Sequence, residues 1–405
     1  MRCDHACAHC GSRAATARPD ELDWSRVEPI MDSLTRLGTR EVTLIGGEAY
    51  LHPRCTEVVA GLTKRGIRVT MQTGGRGITP LLAQRLKVAG VRALGFSIDG
   101  PADVHDTLRA SKGSHRSAMA GIAAAREAGI PMTANTQINR LILGRLEETA
   151  ELLYRAGVKQ WRPQLTVPMG RAADRPDWIL EPFQILEVLD QLAEIQLRHA
   201  EANHAAGRPP ERTFAVTIGN NLGYYSPHEV LLRSRPGHTA DFWRGCRAGQ
   251  VTMSISSNGE IKPCPSLPEA PYVGGDVREL SIEDIWNANP VMRFTQERTA
   301  DERWGFCATC EYGDTCMAGC SFTAHCTLGR RGNMPFCYHR ASTLKERGVR
   351  ERLRQVEAAS GQPYDFGRFE LIEEPWSSDQ GSVREYTLGI EDAMLARGQG
   401  GESKG

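Results

Sequence analysis

Met1-Arg2-Cys3-Asp4-His5-Ala6-Cys7-Ala8-His9-Cys10 opens the chain and spaces three cysteines as C-x₃-C-x₂-C. Iron–sulfur clusters take cysteine thiolates as ligands, and the spacing records how a loop wraps its cluster. Three thiolates on so short a loop can hold three irons of a [4Fe–4S] cube. The fourth iron is then open to a small molecule. Taken alone, the same three residues also fit a zinc knuckle or a chance grouping.

Composition narrows the setting. The 405 residues are enough for two domains of ordinary size. Lys plus Arg and Asp plus Glu number 49 each, so no global field draws the chain to nucleic acid or an anionic membrane. No apolar run approaches the roughly 20 residues of a membrane span, and the N-terminus given lacks a charged-then-apolar signal pattern. The expected location is cytoplasmic, where thiols stay reduced and clustered cysteines point to metal rather than disulfides. Of the twelve cysteines, three lie at the start, eight lie between Cys246 and Cys337, and Cys55 stands alone. Cys55 reads as a small buried hydrophobe.

From residue 25 to about 170, helical patterns alternate with short β-branched runs. The expected helices are Arg26–Leu37, Glu57–Arg65, Pro80–Ala89, Arg116–Ala128 and Arg145–Ala156. Each precedes a strand-like run: Glu41–Ile45, Ile67–Gln72, Val91–Ile98, Pro131–Gln137 and Gln160–Val167. Gly38, Gly66, Gly90, Gly129 and Gly157 close the helices. Such alternation predicts right-handed βαβ units, a parallel sheet, and a ligand site at the carboxyl ends of its strands. A long amphipathic helix then carries Ile185, Leu189, Leu192 and Gln196 on one face. Thr213–Ile218 reads as a further strand, and Arg340 to Ala358 as one charged helix.

Four strand ends carry residues of chemical interest. Gly46-Gly47-Glu48 follows the first predicted strand, about 36 residues after Cys10. Glycines there let the backbone approach a ligand, and Glu48 can accept a bond from an ammonium. Thr73-Gly74 ends the second strand, and Ser97-Ile98-Asp99-Gly100 the third, with His105-Asp106 and Arg109 downstream. Ordinary turn chemistry also accounts for Ser97 and Asp99. Asn135 and Gln137 end a later strand as polar residues for a ligand, a substrate or simple capping.

With these motifs the chain resembles the radical S-adenosylmethionine (SAM) enzymes. The resemblance implies a partial (β/α)6 barrel and a [4Fe–4S] cluster coordinated by Cys3, Cys7, Cys10 and SAM. An electron from that cluster cleaves SAM to methionine and a 5′-deoxyadenosyl radical. It also implies SAM contacts from Gly46, Gly47 and Glu48 (the methionyl amine), Thr73, Ser97 (ribose or carboxylate), Asp99 (shaping the loop) and His9 (at the adenine). The family places its first strand before the cysteine loop, where this sequence has only Met1 and Arg2. A truncated chain, a misassigned start or a missing first strand is expected, truncation being favoured because a bare barrel edge is poorly supported.

The second array runs Cys246, twelve residues, Gly259, four residues, Cys264, then Cys307-x₂-Cys310-x₅-Cys316-x₃-Cys320, and last Cys337. Structural zinc pairs are the bland account of it. Its order and gaps resemble the SPASM domain, a C-terminal extension holding two auxiliary [4Fe–4S] clusters. The resemblance assigns Cys307, Cys310, Cys316 and Cys337 to the second auxiliary cluster, and Cys246, Cys264 and Cys320 to the first. Cys326 is a candidate fourth ligand for the first, the alternative being an open iron. The expected organisation is a barrel over 1–175, a linker region over 176–240, the SPASM domain over 241–340, a helix and extension over 341–395, and a disordered tail over 396–405.

SPASM proteins modify peptides or oxidise small molecules. In sulfatase-maturing relatives a catalytic aspartate directly follows the cysteine matching Cys264; here that residue is Pro265. The expected activity is an oxidoreductase that matures a ribosomally made peptide through a thioether, a carbon–carbon crosslink or residue oxidation. Its expected partners are the precursor peptide, an electron donor such as flavodoxin or ferredoxin, and a separate leader-binding protein, unless Gln362 to Leu395 serves that purpose. The alternatives are a dehydrogenase of a secondary-metabolite alcohol such as an aminocyclitol, and, from another class, a non-catalytic Fe–S electron carrier.

Overall fold

The structure, a computed structural model, describes residues 1–209 and 213–377. Its first part is a run of α/β units. Asp23 caps α1 (Trp24–Arg36) by accepting from the Ser25 N–H, which satisfies one of the free donors of the first turn. Then follow β1 (Glu41–Leu44), α2 (Cys55–Lys64), β2 (Arg68–Thr73), α3 (Pro80–Ala89), β3 (Val91–Ser97), α4 (Ala102–Leu108) and α5 (Ser114–Glu127). The run ends with β4 (Met132–Ile138), α6 (Leu146–Arg155), β5 (Gln160–Leu165), α7 (Ile185–Ala205) and β6 (Ala215–Val216). The helices and strands expected from residue 25 to about 170 are all present, with ends shifted by a few residues, and α4 is an extra short helix.

The six strands lie in sequence order and pair in parallel, as an open partial barrel. Strand residues alternate in burial. Val69, Met71, Leu94, Phe96, Ala134 and Trp161 pack under the helices. Their neighbours Thr70, Gln72, Asn135, Gln137, Arg162 and Gln164 face the other way, into the barrel. A parallel sheet covered on both faces would show near-continuous apolar strands; this alternation leaves one face as the wall of a polar chamber. Pro163 sits within β5 and cannot donate to a ladder, and β6 pairs with β5 only at Gln160 and Trp161, ahead of it. Ile185, Leu189, Leu192 and Gln196 are buried together on α7 as expected. Gln196 belongs there because its Oε1 accepts the Val216 N–H, tying α7 to β6.

Beyond α8 (Glu229–Arg233) comes a small antiparallel sheet of β7 (Ser254–Ile255), β8 (Glu260–Lys262) and β9 (Gly275–Asp276). It is followed by α9 (Ile282–Ala288), α10 (Pro290–Glu297), α11 (Gly313–Cys316), α12 (Ser321–Leu328) and α13 (Tyr338–Glu346). The chain does not continue as one helix from Arg340 to Ala358. It turns at Gly348 (φ +74°), and β10 (Val349–Glu357) pairs antiparallel with β11 (Arg368–Pro375). The alternating charges that looked helical are cross-strand partners instead. Arg350 faces Glu374 and Arg354 faces Glu370 in register, each as an ion pair, which stabilises a ladder as i,i+4 pairs stabilise a helix.

The hairpin packs back on the first part of the chain. Glu181 accepts the Leu353 N–H at 2.7 Å, and Phe366 bridges to Met169. Residues 378–395 of the expected extension and the expected tail over 396–405 lie outside the described residues. Among the described residues β1 is one edge of the large sheet. Arg2 lies beside its C-terminal end, its carbonyl accepting the Glu48 N–H.

Candidate functional site

The loop carrying Cys3, Cys7 and Cys10 lies over the carboxyl ends of the large sheet. The Ala8 N–H donates to Leu108 O, and the Arg171 N–H, just past β5, donates to Cys10 O. The Arg171 side chain also donates to Cys7 O (2.7 Å) and Ala14 O (3.0 Å). Gly170 packs on the loop backbone so closely, at φ +58°, that a Cβ would lie 2.3 Å from Gly11 O. Cys7 and Cys10 are near enough to oppose the ionisation of Cys3, and Cys10 that of Cys7. Burial pushes Cys3 up to about 12 and raises Cys7 too, against the nearby Arg109 guanidinium. Buried thiols that resist ionisation side by side are a fit for a metal centre, which binds them as thiolates.

Glu48, Thr73 and Gly74 come together beside this loop. Thr73 Oγ1 donates to one Glu48 oxygen (2.7 Å) and the Gly74 N–H to the other (2.6 Å). Burial pushes the Glu48 carboxyl up to about 7 despite those bonds. Cys3 Sγ and oxygens of Asp4 and Glu48 lie within 4.8 Å of one another. Gly47 admits no side chain, since a Cβ would sit 2.1 Å from Arg2 O.

Asp99 is fully buried and holds the loop from the other side. It accepts from Arg109 Nε (2.8 Å) and from the Gln137 N–H (3.0 Å), while its own N–H donates to His105 Nδ1 (3.1 Å). Burial opposes its charge, but Arg109, His9 and His105 together hold its pKa down at about 2. Arg109 also reaches Cys7 Sγ at 3.7 Å. The His9 ring is enclosed between Leu108 O (2.9 Å) and Asp99 (3.4 Å). Asp106 caps α5, accepting from Gly113 N, Ser114 Oγ and His115 N. Ser97 and Asn135 are register partners on β3 and β4. Asn135 donates to Gln72 and accepts from Gln164, forming an amide row across the chamber.

Sequence reasoning did not single out Gly170, Arg171, Gln72, Arg162 or Gln164. The strand alternation was a readable signal for the last three. For Gly170-Arg171 the signal was only a glycine and a cation just past a strand end.

The cysteines from Cys246 onwards form two groups. Cys320 interacts electrostatically with Cys246 and Cys264, and Cys326 with Cys320. Cys307 interacts with Cys310, Cys316 with both, and Cys337 with Cys316 and Cys307. Met317, Ala318 and Gly319 all take positive φ. That turn reverses the chain between Cys316 and Cys320, so consecutive cysteines serve different groups. Cys326 is fully buried on α12.

A family model described as the radical SAM superfamily matches residues 1–159, and one for the SPASM iron–sulfur cluster-binding domain matches residues 246–311. The AdoMet-dependent heme synthase of Nitratidesulfovibrio vulgaris is 30% identical over 342 residues, 84% of this chain and 90% of that protein. The chain belongs to the radical SAM/SPASM family. The mycofactocin maturase of Mycobacterium tuberculosis is 27% identical over 322 residues, covering 78% of this chain and 75% of its own. The fold is shared with a solved structure described as native anSMEcpe with bound AdoMet and Cp18Cys peptide, at TM-score 0.62 and 14% identity, covering 84% of this chain and 91% of that one.

The radical SAM domain takes a [4Fe–4S] cluster and SAM, and the SPASM domain takes auxiliary iron–sulfur clusters. The residues fit these groups. Cys307, Cys310, Cys316 and Cys337 line one pocket, walled also by Tyr224 and Tyr312. Burial pushes Cys316 and Cys320 up to about 12, a cost that thiolate ligation to metal offsets. Membership in this enzyme family replaces both the structural-zinc account and the electron-carrier alternative. Among the described residues, no helix is long and apolar enough to cross a membrane.

Proposed function

We propose that this radical SAM enzyme oxidatively modifies a small ribosomally made peptide, forming a thioether, a carbon–carbon crosslink or an oxidised residue. The polar lining of the chamber carries this reading. Gln72, Asn135 and Gln164 form an amide row, with Ser97 and Gln137 on the same face. Amide side chains offer paired donors and acceptors that match a peptide main chain, whereas a flat macrocycle needs broad apolar walls. Arg162 faces the chamber from β5, with Arg235 and Glu41 as its charged neighbours, and suits a substrate carboxylate. The likeness to a mycofactocin maturase supports the same class. A tetrapyrrole substrate is the second reading, favoured by the 30% identity to a heme synthase.

In this reading Cys3, Cys7 and Cys10 hold the SAM-site cluster. Cys307, Cys310, Cys316 and Cys337 hold one auxiliary cluster; Cys246, Cys264 and Cys320 hold the other, with Cys326 or an open iron completing it. When bound, these groups supply a 5′-deoxyadenosyl radical that abstracts hydrogen, and an acceptor for the electron the substrate then loses. Glu48 accepts the ammonium of SAM, aimed by Thr73 and Gly74, and the bare backbone at Gly46 and Gly47 lets SAM approach. Ser97 contacts the ribose or carboxylate, and His9 flanks the adenine. Asp99 and Arg109 fix the loop through Cys7. The barrel is assigned to 1–175 and the SPASM domain to 241–340, in a cytoplasmic protein served by a flavodoxin- or ferredoxin-like donor and a leader-binding partner.

The test is 5′-deoxyadenosine production coupled to substrate loss, with panels of precursor peptides, carboxylate-bearing iron tetrapyrroles and aminocyclitols. A peptide product two hydrogens lighter is expected, its new bond located by tandem mass spectrometry. Coupled turnover on a tetrapyrrole or an aminocyclitol, with none on any peptide, would overturn the peptide reading.

A further inference from the structure

Lys262 is an unusual residue to bury. It ends β8, two residues before Cys264, and is 1% exposed. Its ammonium donates to Leu267 O at 2.6 Å and lies 4.1 Å from the centre of the Tyr364 ring. A buried ammonium is costly unless charge compensates it, and among the described residues it makes no ion pair. Glu260 and Glu269 are its acidic neighbours, opposed by Arg18, and its charge reaches the Cys264 and Cys326 thiols.

Tyr364 roofs it from the β10–β11 loop, at φ +59°. That left-handed conformation is disfavoured for a residue with a Cβ, and such outliers persist where the surroundings over-determine them. The surroundings do so here. Next in sequence, Asp365 accepts from Arg13 Nε at 2.8 Å, and its carbonyl accepts the Gly170 N–H at 2.7 Å. Phe366 packs edge-on to His325, ring centres 5.1 Å apart. The loop therefore pins the Tyr364 ring over Lys262, in electrostatic reach of Cys10 and so between the two thiol sites.

We propose that Lys262, roofed by Tyr364, is a fixed positive charge that raises the reduction potential of the first auxiliary cluster. This rests on the reading that Cys246, Cys264 and Cys320 hold that cluster. Reduction adds one negative charge to an iron–sulfur cluster, and net local charge, hydrogen bonding and solvent exposure set the potential. An ammonium shielded from water beside the ligand thiolates favours the reduced state, so the cluster more readily accepts the electron the substrate loses. Lys262 acts here as a positioning and tuning residue, with no contact to the reacting atoms.

The test is an EPR-monitored redox titration of the anaerobically reconstituted, full-length enzyme and its Lys262→Met, Lys262→Gln, Lys262→Arg and Tyr364→Leu variants, compared at equal iron content. The couple missing from Cys264→Ala identifies the cluster concerned. Both neutral variants should lower that couple alone by at least tenfold in the reduction equilibrium, 59 mV for one electron. Lys262→Arg should stay near wild type, and Tyr364→Leu should fall between them. An unchanged couple in either neutral variant, or an Arg variant shifted as far as Met, overturns the proposal. If Cys264→Ala removes no couple and no iron, the ligand reading fails instead, and the two failures are told apart.

Discussion

Replacing Arg109 by Met removes the cation from a fully buried pair. Asp99 is 0% exposed and receives Arg109 Nε at 2.8 Å and Nη2 at 2.7 Å. Burial alone would raise its pKa; Arg109 turns the balance and holds it at about 2, against an ordinary 3.8. At 1.36 kcal/mol per pKa unit that depression is worth roughly 2 kcal/mol at neutral pH. Deleting one partner of a buried pair costs more, about 3–5 kcal/mol, because the other charge is left uncompensated. Arg109→Met should therefore lose about 3–5 kcal/mol, a large part of a typical domain stability of roughly 5–15 kcal/mol.

The assay is urea unfolding under anaerobic conditions, at matched iron content, with tryptophan fluorescence as the signal. Asp99→Asn/Arg109→Met should recover part of the loss, having no orphaned charge. The pH dependence has a definite sign. In wild type the folded pKa is depressed, so the stabilisation is complete above about 4 and is lost as pH falls towards 2. In Arg109→Met burial acts unopposed by that cation and raises the Asp99 pKa. The gap to wild type should then narrow as pH falls from 7 and the carboxyl takes up its proton. A single variant within 1 kcal/mol of wild type, or a double variant no more stable than the single, would show that the pair does not hold this loop.

Replacing Cys3, Cys7 and Cys10 together by Ala should remove about four of about twelve irons and abolish 5′-deoxyadenosine formation, as measured by iron analysis and chromatography. Cys307→Ala or Cys316→Ala should keep SAM cleavage while sharply reducing product; wild-type product yield would exclude an electron-acceptor role for that group. Glu48→Gln should weaken SAM binding by about 10–100-fold in equilibrium dialysis, since a charge-assisted hydrogen bond is worth about 1.5–3 kcal/mol. If Cys326 completes the first auxiliary group, Cys326→Ala should alter that cluster's EPR signal and leave the other signals in place; an unaltered signal would favour the open iron.

Local patterns were legible in the sequence because local physics sets them. The C-x₃-C-x₂-C loop, Gly46-Gly47-Glu48 and the alternation of helical and strand runs are short-range signals, and they led to the α/β barrel and to the strand ends where the candidate site lies. Charge alternation after Cys337 was local too but ambiguous: it fits a charged helix until Gly348 turns the chain and Glu370 and Glu374 arrive opposite Arg354 and Arg350. Long-range convergence was beyond it. Spacing cannot show that Cys246, Cys264 and Cys320 meet, that Arg13 joins Asp365, or that Arg171 clamps the backbone of Cys7, because those residues are brought together only when the barrel, the small sheet and the hairpin pack. The same holds for Lys262. The sequence shows a lysine near a cysteine, while the fold removes it from water and sets Tyr364 over it, and that burial gives the charge its reach.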